Sequence, residues 1–363
     1  MTLRWQRSMK QNLRKCLLLH NSPERTLMQF TLHTTFPSQL TQAWNDLLSE
    51  SASHVPFLRY EYLNAWWQTR GGGEWPEAEV AIITAYDGER LVGFAPLFST
   101  RREGKPTLML LGSVEVSDYL DLICRPEDLP SFASGLLGWL LSPAAPEWQT
   151  LDLYNILEGS PSMAALKAAA ETHHLTVTRT RLEHSPYITL PGDWETYLSG
   201  IDKKQRHEIR RKMRRAEESP TPVTWRATAT SAELDGDIAA FLDLMAQDEE
   251  KAAFLTEPMR EHMRNVMRCA FESGCLHLAF LDVDSKPAAA YLSFLYLNRL
   301  WVYNSGLDRA FMEFSPGWVL LGHLLKWANE TGISEFDFMR GDEEYKYRFG
   351  ATDRFIYQLT IQR

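Results

Sequence analysis

Apolar positions recur along the chain with two spacings, and the alternation of these spacings lays out its elements. From Pro37 to Leu48 the apolar residues Leu40, Trp44, Leu47 and Leu48 fall on one helical face, and Leu58 to Trp67 continues with a second helix. A period of two then takes over. Glu79 to Asp87 and Arg90 to Phe98 read as strands joined by an Asp87-Gly88 turn, with further strands at Thr107–Gly112 and Leu120–Cys124. A helix over Phe132–Leu141, a strand from Thr150, a helix over Met163–Thr172 and a strand from Leu175 to Thr180 follow. After the Pro/Ser/Gly-marked join at His184–Gly192 the plan repeats. Helices are expected over Asp193–Leu198 and Lys203–Glu218, a strand from Val223, and helices over Asp237–Lys251 and Pro258–Glu272. A hairpin (Leu276–Val283, Pro287–Leu297), a strand from Arg299, a helix over Ser315–Asn329 and strands at Glu335–Met339 and Arg354–Ile361 complete it. Strands and helices alternating at these lengths specify a mixed α/β (α+β) architecture. The two hairpins superpose in pattern, Arg90-Leu-Val-Gly93 on Lys286-Pro-Ala-Ala289, so the halves read as two copies of one plan.

Length agrees, since 363 residues suggest two domains. We divide the chain into an extension over 1–28, a first domain over 29–188 and a second over 189–363. The extension is basic, with Arg4, Arg7, Lys10, Arg14, Lys15 and Arg25 against Glu24. Its apolar run at Cys16–Leu19 is too short for a secretory signal. It reads either as a disordered arm ahead of a start at Met28 or as a membrane-surface or targeting arm. No run of about 18 apolar residues spans a membrane. Cys16, Cys124, Cys269 and Cys275 form no CxxC pair, which fits a reduced, cytoplasmic setting and gives no zinc site. No metal is expected.

Charge adds one local feature. The net charge is −9, a poor balance for a DNA binder, yet Lys203–Arg215 holds eight Lys/Arg and only Glu208. That +7 segment leaves −16 on the rest. On a helix Arg206, Arg210 and Arg214 share a face with Lys203, and such a face needs anions nearby, either the protein's own carboxylates or ligand phosphates.

Two further constellations carry candidate chemistry. Tyr303-Asn-Ser-Gly precedes Ser315-Pro316-Gly317, a helix start with Pro at its first position and no acid in its first turn, suited to phosphate or to plain capping. Then Phe336-Asp337-Phe338 places a carboxylate on the opposite face from two aromatics, with Gly341, Tyr345 and Lys346 following. Asp337 is either a functional carboxylate or one half of a core salt bridge to Lys346 or Arg340. No GxGxxG, Walker A, HExxH or GxSxG pattern occurs, which excludes the dinucleotide, P-loop, zincin and α/β-hydrolase classes.

These residues resemble a known group. Pro56-Phe57, Ala65-Trp66-Trp67, Leu91-Val-Gly-Phe-Ala-Pro-Leu97, Leu111-Gly112 and Ser117-Asp-Tyr-Leu-Asp121 are similar to the first half of tandem GNAT-fold acyltransferases of the CelD type, relatives of the Fem peptidyltransferases. Arg206–Arg215, Ser315-Pro-Gly317, Phe336-Asp-Phe338, Gly341 and Tyr345-Lys346 are similar to the second half. The resemblance spans about Phe57 to Phe355. It implies two tandem GNAT-like acyl-CoA N-acyltransferase folds, each a mixed, mostly antiparallel sheet flanked by helices, the first degenerate and the second catalytic. By that similarity Lys346 matches a lysine that stabilises the reacting acyl group in the Fem enzymes, and the arginine-bearing helix matches a segment near their substrate's phosphates. The chain departs from the group in lacking the R/Q-x-x-G-x-G/A pyrophosphate signature and a long coiled-coil arm.

The expectation is therefore an acyltransferase that moves an acyl group, acetyl first, from acyl-CoA to an amine of a sugar or cell-envelope polysaccharide precursor. Lys346 would hold the developing charge, Asp337 would act as base or lysine orienter, and Tyr345 completes the catalytic set. Ser315, Pro316, Gly317 and Tyr303 would hold the acetyl-CoA co-substrate. Arg206, Arg210 and Arg214 would hold an anionic acceptor, with Asp118 and Tyr119 reaching the inter-domain cleft. The alternatives are a Fem-like transferase using aminoacyl-tRNA and a non-catalytic polysaccharide-assembly partner. The expected partners are a small-molecule or glycan-precursor acceptor, then tRNA, with no DNA and no membrane span, around a monomer.

Overall fold

The computed structural model describes residues Met28–Arg363. All but the last residue of the extension expected over 1–28 lies outside them. Fourteen strands are described: β1 (Gln29–His33), β2 (Glu79–Asp87), β3 (Arg90–Arg102), β4 (Lys105–Leu110), β5 (Ile123–Cys124), β6 (Thr150–Leu157), β7 (Thr176–His184), β8 (Tyr187–Thr189), β9 (Val223–Ala227), β10 (Leu276–Val283), β11 (Lys286–Tyr296), β12 (Arg299–Leu307), β13 (Glu335–Asp337) and β14 (Phe355–Gln362). They form two sheets. The first runs β1-β2-β3-β4-β6-β14-β7, with β5 attached to β3, and the second runs β8-β13-β12-β11-β10-β9. Each sheet is antiparallel except at one pair, β4 with β6 and β12 with β13. The parallel pair in each sheet follows a meander of antiparallel strands, so the repeat read from the hairpins extends to whole sheets.

The sheets exchange strands. The Arg354–Ile361 strand expected in the second half instead lies in the first sheet as β14, between β6 and β7. The corresponding position in the second sheet, beside β13, is taken by β8 from the join. Ile356, Leu359 and Ile361 of β14 are buried in the first half's core. The chain thus crosses to the second sheet after β7 and returns at its end. The core is also shared, because Phe57 packs edge-on against Phe294 at 5.7 Å and Tyr303 at 5.6 Å. His262, on the Glu257–Glu272 helix, meets Thr69 on the Tyr60–Gly73 helix at 2.9 Å.

Two local departures from the sequence reading matter for the site. The helix expected over Asp237–Lys251 is two helices, Ser231–Met245 and Glu249–Phe254. Asp248 breaks it: its carboxylate accepts the backbone N–H of Glu250 and Lys251 at 3.1 Å each and starts a new turn, an N-cap followed by two acids. The strand expected over Leu120–Cys124 shrinks to β5, because the Leu120 N–H donates instead to the Asn155 carbonyl at 2.9 Å.

Candidate active site

The second sheet opens where its parallel pair ends. Pairing of β12 with β13 stops at Trp301 opposite Asp337. On the other side β12 carries a bulge, its register to β11 shifting so that Tyr303 is the extra residue. A bulge bends its strand and re-aims side chains. Beyond Trp301 the β13-facing edge of β12 has no strand beside it; Ser305 is engaged locally, its N–H donating to Asn304 Oδ1 at 2.8 Å and its carbonyl accepting from Lys251, and the remaining edge groups face no strand. In the first sheet the matching gap is filled. Pairing of β4 with β6 ends at Met109 opposite Asp152, and the chain from Val114 to Leu120 occupies the space, with Asn155 Nδ2 donating to the Val114 and Ser117 carbonyls at 2.9 and 2.7 Å.

A cavity of about 260 Å3 lies at the open gap. It gathers Tyr303, Tyr345, Lys346 and Asp118 from the residues singled out in the sequence, and adds Lys251, Tyr291, Arg340 and Glu343. After β13 the chain turns through Gly341 at φ 104°, where a β-carbon would lie 2.5 Å from Glu343 Oε2, so only glycine fits. The short Glu344–Arg348 helix then turns Lys346 inward. Its side chain is 3% exposed, and Nζ donates to the Arg340 and Gly341 carbonyls at 2.7 and 3.0 Å and pairs with Glu343 at 2.8 Å. All three ammonium protons are therefore engaged. Tyr303 and Tyr62 both donate to the Val116 carbonyl at 2.8 Å, and Arg340 Nε binds Asp118 at 2.6 Å, so the first half's 114–118 segment forms one wall. Burial raises the hydroxyl pKa of Tyr291, Tyr303 and Tyr345.

Lys251 stands at a junction. Its Nζ donates to Asn304 Oδ1 at 2.9 Å and to the Ser305 carbonyl at 2.6 Å. Lys251 and Ser305 also line a second cavity of about 310 Å3 with Leu244, Met245, Leu307 and Met312. Desolvation lowers the Lys251 pKa, and Lys346 lowers it further, against Asp248 and Glu343.

Other expected site residues lie elsewhere. Asp337 is fully buried outside the cavity, ion-paired with Arg354 and accepting from Tyr119 at 2.8 Å and the Met339 N–H at 2.7 Å. It is a core ion pair, but with Arg354 rather than Lys346 or Arg340, and it does not orient Lys346. Tyr119 serves that network, also bonding Ser185, and does not line the cavity with Asp118. Arg206 donates to the carbonyls of Leu198 and Ser199, and Arg210 pairs with Glu195 in an exposed ion pair; neither lines the 260 Å3 cavity. Arg214 lines a separate cavity of about 500 Å3 with Arg211, Arg215, Glu218 and Glu313. Ser315 occupies the cap position at φ 53° without a side-chain bond, and the Pro316–Glu330 helix begins beside the 310 Å3 cavity: Leu307 lies 3.6 Å from where a Gly317 β-carbon would be. Lys251, Arg340 and Glu343 were missed. For Lys251 the signal was present, since Asp248-Glu249-Glu250 is a helix-start pattern inside an assumed helix.

Among the described residues no group of three or more His, Cys, Asp and Glu could hold a metal ion, and no helix is long and apolar enough to cross a membrane.

Residues 203–347 match the family model described as an acetyltransferase (GNAT) domain. No curated protein matches the chain. Among solved structures it is similar to FemX, at 9% identity and TM-score 0.63 over 91% of this chain and 96% of that one. A conserved protein of unknown function from Bacteroides thetaiotaomicron aligns at 10% identity and TM-score 0.60, over 92% and 100% of the two chains. The C-terminal domain of a lysylphosphatidylglycerol synthetase homologue from Agrobacterium fabrum aligns at 11% and 0.53, over 90% and 92%. These likenesses establish the fold, two GNAT-like units of mixed sheet and flanking helices, as the strand pattern and the resemblance implied.

Proposed function

We propose that the chain is an acyltransferase that moves an acyl group, acetyl in the simplest case, from acyl-CoA to an amine of a sugar or cell-envelope precursor. The observation that carries this is the open edge of β12 beyond Trp301 and the cavity beside it, lined mostly by the segment that matches the GNAT domain and closed by Glu115 and Asp118. GNAT folds in general bind acyl-CoA. An extended thioester arm added beside β12 would find backbone partners there, as a strand does. The first half, whose matching gap is filled by its own chain, would supply the Glu115–Asp118 wall and no second reaction centre. The residues that fit the donor are the β12 edge from Tyr303 to Leu307 and the start of the Pro316–Glu330 helix, whose first N–H groups carry no side-chain cap.

In the reaction the acceptor nitrogen forms a C–N bond to the acyl carbon, the C–S bond breaks, the nitrogen gives up a proton and the thiolate gains one. Lys346 fixes the turn that closes the cavity, and release of Glu343 would free one of its protons for the acyl oxygen. A thermal-shift panel of CoA, acetyl-CoA and longer acyl-CoAs tests donor binding. Stabilisation should grow with ligand concentration as roughly RT ln(1 + [L]/Kd). No shift with any of them counts against the reading.

A second reading takes its support from the cavity at Arg211, Arg214 and Arg215 and the full-length likeness to FemX: a Fem-like transfer from aminoacyl-tRNA. RNA bound there would weaken steeply with salt. A flat salt response argues against it.

A further inference from the structure

The transfer needs a group that takes a proton from the attacking nitrogen, and most groups around the cavity are committed. Asp118 is held by Arg340, and Glu343 by Lys346. Lys346 spends all three protons, and Arg340 spends its donors on Asp118 and the Val114 and Glu115 carbonyls. Tyr291, Tyr303 and Tyr345 hold their protons more tightly than free tyrosines. Glu115 is exposed at the rim. Asp337 is in the core with Arg354.

Lys251 differs from all of these. It is half-buried, yet among the described residues no carboxylate forms an ion pair with it. The Asp248 carboxylate beside it is turned to the helix N–H groups. Its two polar partners, Asn304 Oδ1 and the Ser305 carbonyl, are neutral acceptors that fix two vertices of the tetrahedral nitrogen, with Cε at a third. One vertex is left at the junction of the two cavities, where donor and acceptor would meet.

We propose, on the acyltransferase reading above, that Lys251 is the proton acceptor of the transfer. Its free amine takes the proton from the acceptor nitrogen as the C–N bond forms and the C–S bond breaks. The resulting ammonium returns that proton to the departing thiolate, which restores the amine and balances the step. The direction of its pKa agrees with this geometry, since desolvation lowers it and so favours the neutral amine that can accept a proton. Asp248 on its own helix and Glu343 across the cavity raise its pKa and Lys346 lowers it, while Glu115, Asp118 and Arg340 line the first cavity with it and Arg309 the second.

Two measurements on the full chain test this. The first needs no substrate: labelling of Lys251 by dilute acetic anhydride, read by peptide mass spectrometry against pH. The expected midpoint lies below that of an ordinary exposed lysine labelled in the same protein. An ordinary midpoint overturns the proposal. The second follows thiol release from acetyl-CoA with a panel of amines. Lys251→Arg keeps a charge but cannot give up its proton. It should lower kcat about 100-fold, leave KM for acetyl-CoA within about threefold, and lose the acidic limb of the kcat profile. Lys251→Arg at wild-type rate overturns the proposal. Absence of thiol release by the wild type would instead count against the acyltransferase reading, with the labelling midpoint still deciding the state of Lys251.

Discussion

Replacing Arg354 by methionine separates a structural Asp337 from a catalytic one. Asp337 has no exposed surface, and among the described residues its only cationic partner is Arg354, which reaches it from the chain just before β14 and also binds Glu335 at 3.1 Å. Burial raises the Asp337 pKa, with Arg354 as the main opposing influence, so removing the guanidinium should raise it further. Removing one partner of a buried pair costs about 3–5 kcal/mol, because it leaves a charge without compensation. Tyr119 and the Met339 N–H remain as hydrogen-bond donors, which places the expected loss for Arg354→Met near the lower figure, about 3 kcal/mol at pH 7. The sign with pH follows. A carboxyl whose folded pKa lies above its unfolded value of about 3.8 favours the fold when protonated and loses that contribution as pH rises through the folded pKa. The deficit of Arg354→Met against wild type should therefore shrink as pH falls below 7. Asp337→Asn/Arg354→Met removes both charges and should recover more than half of the loss. Urea unfolding of the three proteins at each pH measures all of this. A loss under about 1 kcal/mol for Arg354→Met, or a double variant no better than the single one, refutes the ion-pair reasoning. If Asp337 were the base, Asp337→Asn would abolish turnover with stability unchanged. The structure predicts lower stability with turnover per folded molecule retained.

Three other outcomes are expected. Gly306→Ala would put a β-carbon 2.5 Å from the Leu244 carbonyl carbon and closer still to the Met245 nitrogen, both backbone atoms. It should cost about 3 kcal/mol in urea unfolding and weaken acyl-CoA binding by pushing the Ser231–Met245 helix off β12; an unchanged midpoint contradicts that packing. His262 is buried with Nε2 unpartnered, and desolvation pushes its pKa down to about 4. Its contribution is full above pH 6.5 and is lost as pH falls toward 4, roughly 2 kcal/mol by pH 5, so His262→Gln should flatten the acid side of the stability profile measured by urea titration. Lys346→Ala leaves the Arg340 and Gly341 carbonyls without their donor, and should both abolish thiol release and cost about 2 kcal/mol; intact turnover would remove Lys346 from the site.

What the sequence disclosed and what it withheld divide along the range of the interaction. The hairpins of β2–β3 and β10–β11 were readable because a period of two and a polar turn are local signals. The last strand was readable as a strand, but not its sheet, because Ile356, Leu359 and Ile361 would bury equally well against either core. Only the prior use of β8 beside β13 decides it. Asp337 shows the same limit. Its burial followed from alternation with Phe336 and Phe338, whereas its partner sits 17 residues on, past a turn. Charge along the chain shows where cations cluster but not which are paired. On the +7 helix Glu195 and Glu208 pair with Arg210 and Arg211, Lys212 lies 4.2 Å over the Trp318 ring, and Arg206 serves two carbonyls. The 260 Å3 cavity has no such excess. Lys251, Arg340 and Lys346 face Glu115, Asp118 and Glu343, and these cancel in any count along the chain. Within that balance two cations are paired with carboxylates and one is not. An unpaired, partly desolvated amine is costly to keep charged. That cost favours its neutral form, the form a proton acceptor requires.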